Sequence, residues 1–184
     1  MRIAYIVYTV EGPFSFADEE HDFLLRYLQQ EGLDIHQEAW ADESVQWEQY
    51  KCIVLKSPWD YVEKPQMFYN WLKKITQLNI LLLNPADIVK WNCDKHYLKE
   101  IAATGLRVIP TRFIEKGEQF DPAKYFTRFD TDHIIVKPCI SGSSRNTFLL
   151  SKDDTERTPV INALLQKEAM MAQPFLPRIQ EEGE

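Results

Sequence analysis

Three short stretches of this chain combine residue types suited to holding an anion or a flat polar ring. The first is Lys137-Pro138-Cys139-Ile140-Ser141-Gly142-Ser143-Ser144-Arg145, rich in small residues with unshielded backbone N–H groups. Successive N–H dipoles in such a loop form a concavity for phosphate oxygens. Lys137, at the end of the strand that feeds the loop, brings a charge to the same place. The same composition also makes an ordinary turn. The second stretch is Lys90-Trp91-Asn92-Cys93-Asp94-Lys95-His96-Tyr97. Its pattern predicts a helix over 94–104 with Lys95 in the first turn. A cation there opposes the helix dipole by roughly a few tenths of a kcal/mol, which invites a functional reason; the plain alternative is a solvated surface lysine. The third is Gln173-Pro174-Phe175-Leu176-Pro177. Its prolines break a strand ladder and leave backbone groups near Pro174 and Leu176 to bond elsewhere. One carbonyl and one N–H are what the edge of an adenine ring requires, and Phe175 or Leu176 can pack on its face. A plain exit loop is the alternative.

A fourth stretch, Ser57-Pro58-Trp59-Asp60-Tyr61, follows a buried strand that Pro58 cannot continue. Open α/β sheets place ligands at such strand ends. Trp59 and Tyr61 offer flat apolar surface and Asp60 a carboxylate for an amine, so these three are substrate-side candidates. Equally, the aromatics pack under the loop and Asp60 caps the turn.

The elements that would position these residues alternate. Residues 3–9 form a continuous apolar run, as in a strand covered on both faces. A helix follows over 18–31, with Phe23, Leu24, Tyr27 and Leu28 inward. Strands are expected over 33–40, 52–56 and 80–83, with a helix carrying Met67, Phe68, Trp71, Leu72, Ile75 and Leu78 before the last. This is a parallel, Rossmann-like α/β unit, without the GxGxxG of a dinucleotide site. Beyond it the pattern predicts strands at 110–114, 133–137, 147–150 and 169–173, and helices at 122–129 and 158–168. Thr158 is expected to cap the last helix, with Pro159 as its first residue. The expected division is 1–88 and 89–184, the second unit being α+β.

The chain has 184 residues and a net charge of -7, which argues against a nucleic-acid partner. Its hydrophobic content of 45% supports a sizeable core. The run from Ile3 to Val10 is stopped at Glu11-Gly12-Pro13, unlike a signal peptide. No apolar stretch is long enough to span a bilayer. Cys52, Cys93 and Cys139 and the scattered histidines form no disulfide or zinc spacing. Free thiols fit the cytoplasm.

Taken in order, Asn84-Pro85, Trp91-Asn92-Cys93-Asp94-Lys95, Ile109-Pro110-Thr111, Val136-Lys137-Pro138, Ser141-Gly142-Ser143 and Gln173 to Leu176 resemble the ATP-grasp superfamily, in its glutathione-synthetase-like and D-alanine-ligase-like members. The resemblance covers nearly the whole chain. It implies a pre-ATP-grasp domain followed by the first, ATP-binding subdomain, with the second subdomain lacking. It implies that Lys95 and Lys137 contact the phosphates of ATP, Lys137 near the adenine as well. Ser141, Gly142, Ser143 and Ser144 would be the mobile phosphate loop. Pro174 and Leu176, flanked by Gln173 and Phe175, would meet adenine, and Glu184, or more weakly Glu181, the ribose. The implied activity is ATP-dependent ligation of a carboxylate to an amine or thiol through an acylphosphate. Mg2+ would be held by residues outside this chain, and no catalytic or metal-ligating side chain is assigned within it. The alternative is a non-catalytic nucleotide-binding or protein-interaction module of the same fold. In either case an uncovered apolar face would favour self-association.

Overall fold

The computed structural model describes residues 1–8 and 16–178, with backbone alone for 16–21. The chain divides into two compact units, Met1–Asn92 and Cys93–Glu184. In the first, β1 (Ile3–Val7), β2 (Ile35–Ala39), β3 (Cys52–Ser57) and β4 (Leu81–Leu83) form a parallel sheet in the order β2-β1-β3-β4. Helix α1 (Phe16–Gln30) joins β1 to β2, and α2 (Pro65–Gln77) joins β3 to β4. Every residue of β1 is buried, because both of its faces are covered. On one face Ile3, Tyr5, Val7, Ile35 and Cys52 meet Leu24, Leu25 and Leu28 of α1.

The inward stripe of α1 differs from the expected one. Phe23 and Tyr27 are 74% and 51% exposed, and Leu25 takes part in the core instead. The two aromatics are four residues apart and so share a flank, one position round from the Leu24/Leu28 ridge. By strand alternation Ala4, Ile6 and Ile53 point to the opposite face, and all three are fully buried. The aromatic side chains of this unit cluster around α2. Phe68 stacks on Trp71 at 5.6 Å, and Trp40 and Trp47 meet Phe68 and Trp71 edge-on at 5.1 and 5.5 Å. Such pairs add about 1 kcal/mol each beyond burial. Helix α3 (Ala86–Cys93) was not expected. Its Ile88 and Trp91 are exposed, so it lacks the buried stripe that periodicity detects. Asp87 at its start and Lys90 at its end suit the helix dipole.

The second unit is an antiparallel sheet. It is built from β5 (Arg112–Ile114), β6 (His133–Pro138), β7 (Phe148–Ser151) and β8 (Met170–Pro174), in the order β5-β8-β6-β7. Helices α5 (Pro122–Phe129) and α6 (Thr158–Leu165) bring Tyr125, Phe126, Ile161 and Leu165 to a core with Ile114, Ile134, Val136, Leu150, Met170 and Ala172. Asp121 caps α5, its carboxylate accepting the Ala123 N–H at 3.1 Å, and Pro122 follows the cap. Thr158 does not cap α6. The flanking residue is Arg157, Thr158 is already helical, and its buried hydroxyl has no partner. The residues of β6 and β8 between the core positions, Ile135, Lys137, Met171 and Gln173, turn to the opposite face, where Lys137 lies beside Met171 and Ile135 beside Gln173. No helix of the described residues is long and apolar enough to cross a membrane.

Candidate functional site

Lys95 is not inside a helix. Helix α4 (Tyr97–Ala103) begins two residues later, and Lys95 sits in the turn between α3 and α4. Asp94 makes that turn, its Oδ1 accepting the His96 N–H at 3.0 Å, an arrangement that competes with helix there. The turn is fastened to the end of β6 by two bonds. The Lys95 N–H donates to the Cys139 carbonyl at 3.0 Å, and Lys95 Nζ donates to the Ser141 carbonyl at 2.6 Å. Two positions separated by 46 residues, Lys95 and Ser141, thus meet where the small-residue loop begins. Burial, and then the charge of Lys137, hold the Lys95 ammonium below the ordinary lysine value of 10.5. Two cations within each other's field in a partly buried place make the local potential positive in an acidic protein.

The loop itself has an unusual backbone. Ser143, Ser144 and Asn146 have φ of 48°, 57° and 50°, a left-handed conformation uncommon for side chains other than Asn and Asp. The Ser141 hydroxyl donates to the Arg145 carbonyl at 2.9 Å, and the Arg145 and Thr147 N–H groups bond to Gly142 and Ser144. Among the described residues the N–H groups of Gly142, Ser143 and Ser144 have no partner. Arg145 is already engaged, its guanidinium forking onto both oxygens of Glu168 at 3.2 and 3.3 Å.

At the far end of β8 the register settles which backbone groups are taken. The Phe175 N–H donates to the His133 carbonyl at 3.0 Å. In an antiparallel pair, alternate residues turn their polar groups toward the partner. Residues 173 and 175 therefore face β6, and the Pro174 carbonyl faces the other way, past the point where β5 starts opposite Ala172. The Leu176 N–H has no partner among the described residues, and its side chain is exposed. The buried Gln173 side chain is spent on Thr111, its Nε2 donating to Oγ1 at 2.8 Å. Glu181 and Glu184 lie outside the described residues.

In the first unit, Asp60 Oδ1 accepts the indole N–H of Trp40 at 2.6 Å, and Tyr61 packs against Phe68 at 5.3 Å. Trp59 is 43% exposed and stacks on Tyr8, which follows β1. Of the three candidates in this loop Trp59 is the most exposed; Asp60 and Tyr61 are half-buried. A cavity of about 790 Å³ in this unit, between α2, β4 and α3, is lined by residues such as Gln66, Asn70, Lys73 and Lys90, and by none of the candidate residues.

For a divalent ion, one group of three His, Cys, Asp or Glu side chains is found among the described residues: Asp94, His96 and Cys139. Magnesium takes oxygen ligands in octahedral geometry, and this set of one oxygen, one nitrogen and one sulfur does not suit it. The lysines and the open loop suit the charge of a polyphosphate; among the described residues no group of oxygen ligands beside them suits its magnesium.

A parallel α/β unit followed by an antiparallel sheet backed by two helices is the fold of the ATP-grasp ligases. The family model of the N-terminal domain of D-cycloserine synthetase DcsG matches residues 3–84. The cycloserine biosynthesis protein DcsG of Streptomyces lavendulae is 26% identical over 150 residues, covering 79% of this chain and 50% of that protein. The crystal structure of D-cycloserine synthetase DcsG aligns with a TM-score of 0.84 at 23% identity, over 100% of this chain and 62% of that one. A D-alanine–D-alanine ligase from Bacillus anthracis aligns with a TM-score of 0.69 at 16% identity, over 96% and 58%. The chain thus spans half the length of the curated relative it matches.

Proposed function

We propose that this chain is the nucleotide-binding portion of an ATP-dependent ligase that joins a small carboxylate to an amine or thiol. The observation that carries the reading is the meeting of Lys95, Lys137 and Ser141 at the mouth of the small-residue loop, on the sheet whose β8 ends at Pro174, two residues before Leu176. In this reading Lys95 exchanges the Ser141 carbonyl for a phosphate oxygen, a stronger acceptor because it is charged. Lys137 holds the phosphates from the sheet face. The partnerless N–H groups of Gly142, Ser143 and Ser144 close on the outer phosphates as a nest. The Pro174 carbonyl and the Leu176 N–H meet the adenine edge, with Phe175 fixed to β6 and Gln173 to Thr111 behind them. Glu184 is assigned to the ribose.

ATP supplies the phosphoryl group that activates the carboxylate as an acylphosphate. The chain's own part is positioning and charge neutralisation, the main levers in phosphoryl transfer. Magnesium is assigned to residues outside this chain, and no step is derived through it. The neighbours' names concern D-cycloserine and D-alanine, so a small amino acid or its derivative is the substrate class we assign. Trp59 is the side chain of the 57–61 loop best placed to meet it. The reading is tested by hydrogen exchange with a non-hydrolysable ATP analogue. Amides of 141–144 and Leu176 are expected to slow. Unchanged exchange in both stretches at saturating analogue overturns the reading.

A further inference from the structure

The turn that carries Lys95 holds a second constellation, which the nucleotide reading does not use. Asp94 and His96 flank Lys95, and Cys139 follows Lys137 by two residues at the end of β6. One ligand atom from each, a carboxylate oxygen, an imidazole nitrogen and Sγ, lies within 4.8 Å of the others. We propose that Asp94, His96 and Cys139 form a binding site for a thiophilic divalent cation of the zinc or cobalt type.

The geometry is close to what such an ion needs. With metal–ligand bonds of about 2.0–2.3 Å, tetrahedral ligands sit about 3.5 Å apart. The Asp94 Oδ1 to His96 Nδ1 separation of 2.6 Å would open by about 1 Å on that standard, and no pair of ligand atoms is more than 4.8 Å apart to begin with. The first is an adjustment within the Asp94–His96 turn; the other pairs bring that turn toward Cys139, to whose carbonyl it is already bonded.

The surroundings support the assignment in three ways. His96 has a carboxylate beyond it: Nε2 lies 3.3 Å from Glu115 Oε1. Without the ion, Nδ1 shares a proton with Asp94 Oδ1 at 2.6 Å; on binding that proton leaves Nδ1, and the proton on Nε2, facing Glu115, fixes the tautomer that gives Nδ1 to the metal. A carboxylate behind a ligating histidine is the usual device that fixes tautomer and ring orientation. The ring is also held flat on Phe113, with centroids 4.4 Å apart. Cys139 is 1% exposed and carries no disulfide, so its sulfur faces the turn from within the protein. Asp94 and His96 are partly exposed, which leaves a solvent side for a water as fourth ligand.

The donor set selects the ion. Sulfur and imidazole favour zinc, cobalt or copper over magnesium or calcium. A thiolate and a carboxylate together neutralise a 2+ charge, and the thiol proton leaves to solvent on binding. The neighbouring Lys95 ammonium does not enter the site, since it is turned onto the Ser141 carbonyl. Sequence spacing hid the cluster because its third member follows the end of β6, 45 residues from Asp94.

The test is a titration of the full chain with Co2+, without nucleotide, followed by displacement with Zn2+. A thiolate-to-cobalt charge-transfer band in the near ultraviolet is expected at one equivalent, and Zn2+ should abolish it. Cys139→Ser should remove the band, while Cys52→Ser and Cys93→Ser keep it. His96→Gln, on a partly exposed residue whose loss leaves the core intact, should weaken binding at least tenfold. Absence of the band in the wild-type chain overturns the proposal, leaving a hydrogen-bonded turn only. So does a band that survives both Cys139→Ser and His96→Gln. Neither result bears on nucleotide binding, which is measured without the metal.

Discussion

Lys95 is the residue whose environment says most about the site. Among the described residues its ammonium is held by a carbonyl rather than a carboxylate, in another lysine's field. Burial is the larger cause of its depressed pKa and Lys137 the next. The account therefore predicts that Lys95 titrates below 10.5 and that Lys137→Met moves it part of the way back up, as followed by NMR of the side-chain CH2 next to Nζ. An unmoved titration in that variant would separate the two charges. The sign for stability follows. The unfolded chain binds the Lys95 proton more tightly than the folded one, so in the interval below 10.5 the folded state gains as pH rises. Sequence reading found both lysines and the loop, because lysine in an odd local setting is visible in one dimension. It misplaced Lys95 within a helix, since the Asp94 turn that stops the helix short is side-chain chemistry rather than periodicity. It left Asp60 open between amine binding and a structural bond. In the structure Asp60 is bonded to the Trp40 indole, 20 residues earlier in the chain.

At the scale of elements, the loop between β6 and β7 is the part expected to move, and its tether is explicit. Arg145 and Glu168 share two hydrogen bonds, with side chains 31% and 22% exposed, so the pair is worth about 1 kcal/mol. Glu168→Gln should cost about that much in a denaturant titration and speed hydrogen exchange across 141–147. Unaltered exchange in the loop would show that its left-handed serines, not the tether, hold it. Strands were legible wherever an apolar run was bounded by proline or glycine. Pro58 and Pro138 both mark true strand ends. Helix α5 was legible over its whole length, because Asp121 and Pro122 open it and its apolar face is regular. Helix α3 was not, because it has no buried stripe, and the α1 stripe was misread because aromatic residues were taken to be inward ones.

For the whole molecule, two units with separate cores divide the labour in the sequence itself. The tryptophans at 40, 47, 59, 71 and 91 all fall in Met1–Asn92, so indole emission reports on that unit alone. The candidate phosphate groups all fall in Cys93–Glu184, which has no tryptophan. The parallel character of the first sheet was legible from its alternating strands and helices, though not its strand order. The antiparallel order β5-β8-β6-β7 was not, since it returns the last strand to the middle of the sheet and no local signal records that. It is this return that sets Pro174, two residues before Leu176, on the same sheet as Lys137. The central claim is that these groups act on one purine nucleotide. The most direct test is the thermal unfolding of the 184-residue chain with a non-hydrolysable ATP analogue, read by far-ultraviolet circular dichroism. Saturation at about 100 times Kd should stabilise the folded state by about 2.7 kcal/mol and raise Tm. Lys137→Ala should abolish the rise. A wild-type Tm indifferent to the analogue, or a rise of the same size in Lys137→Ala, would contradict the account.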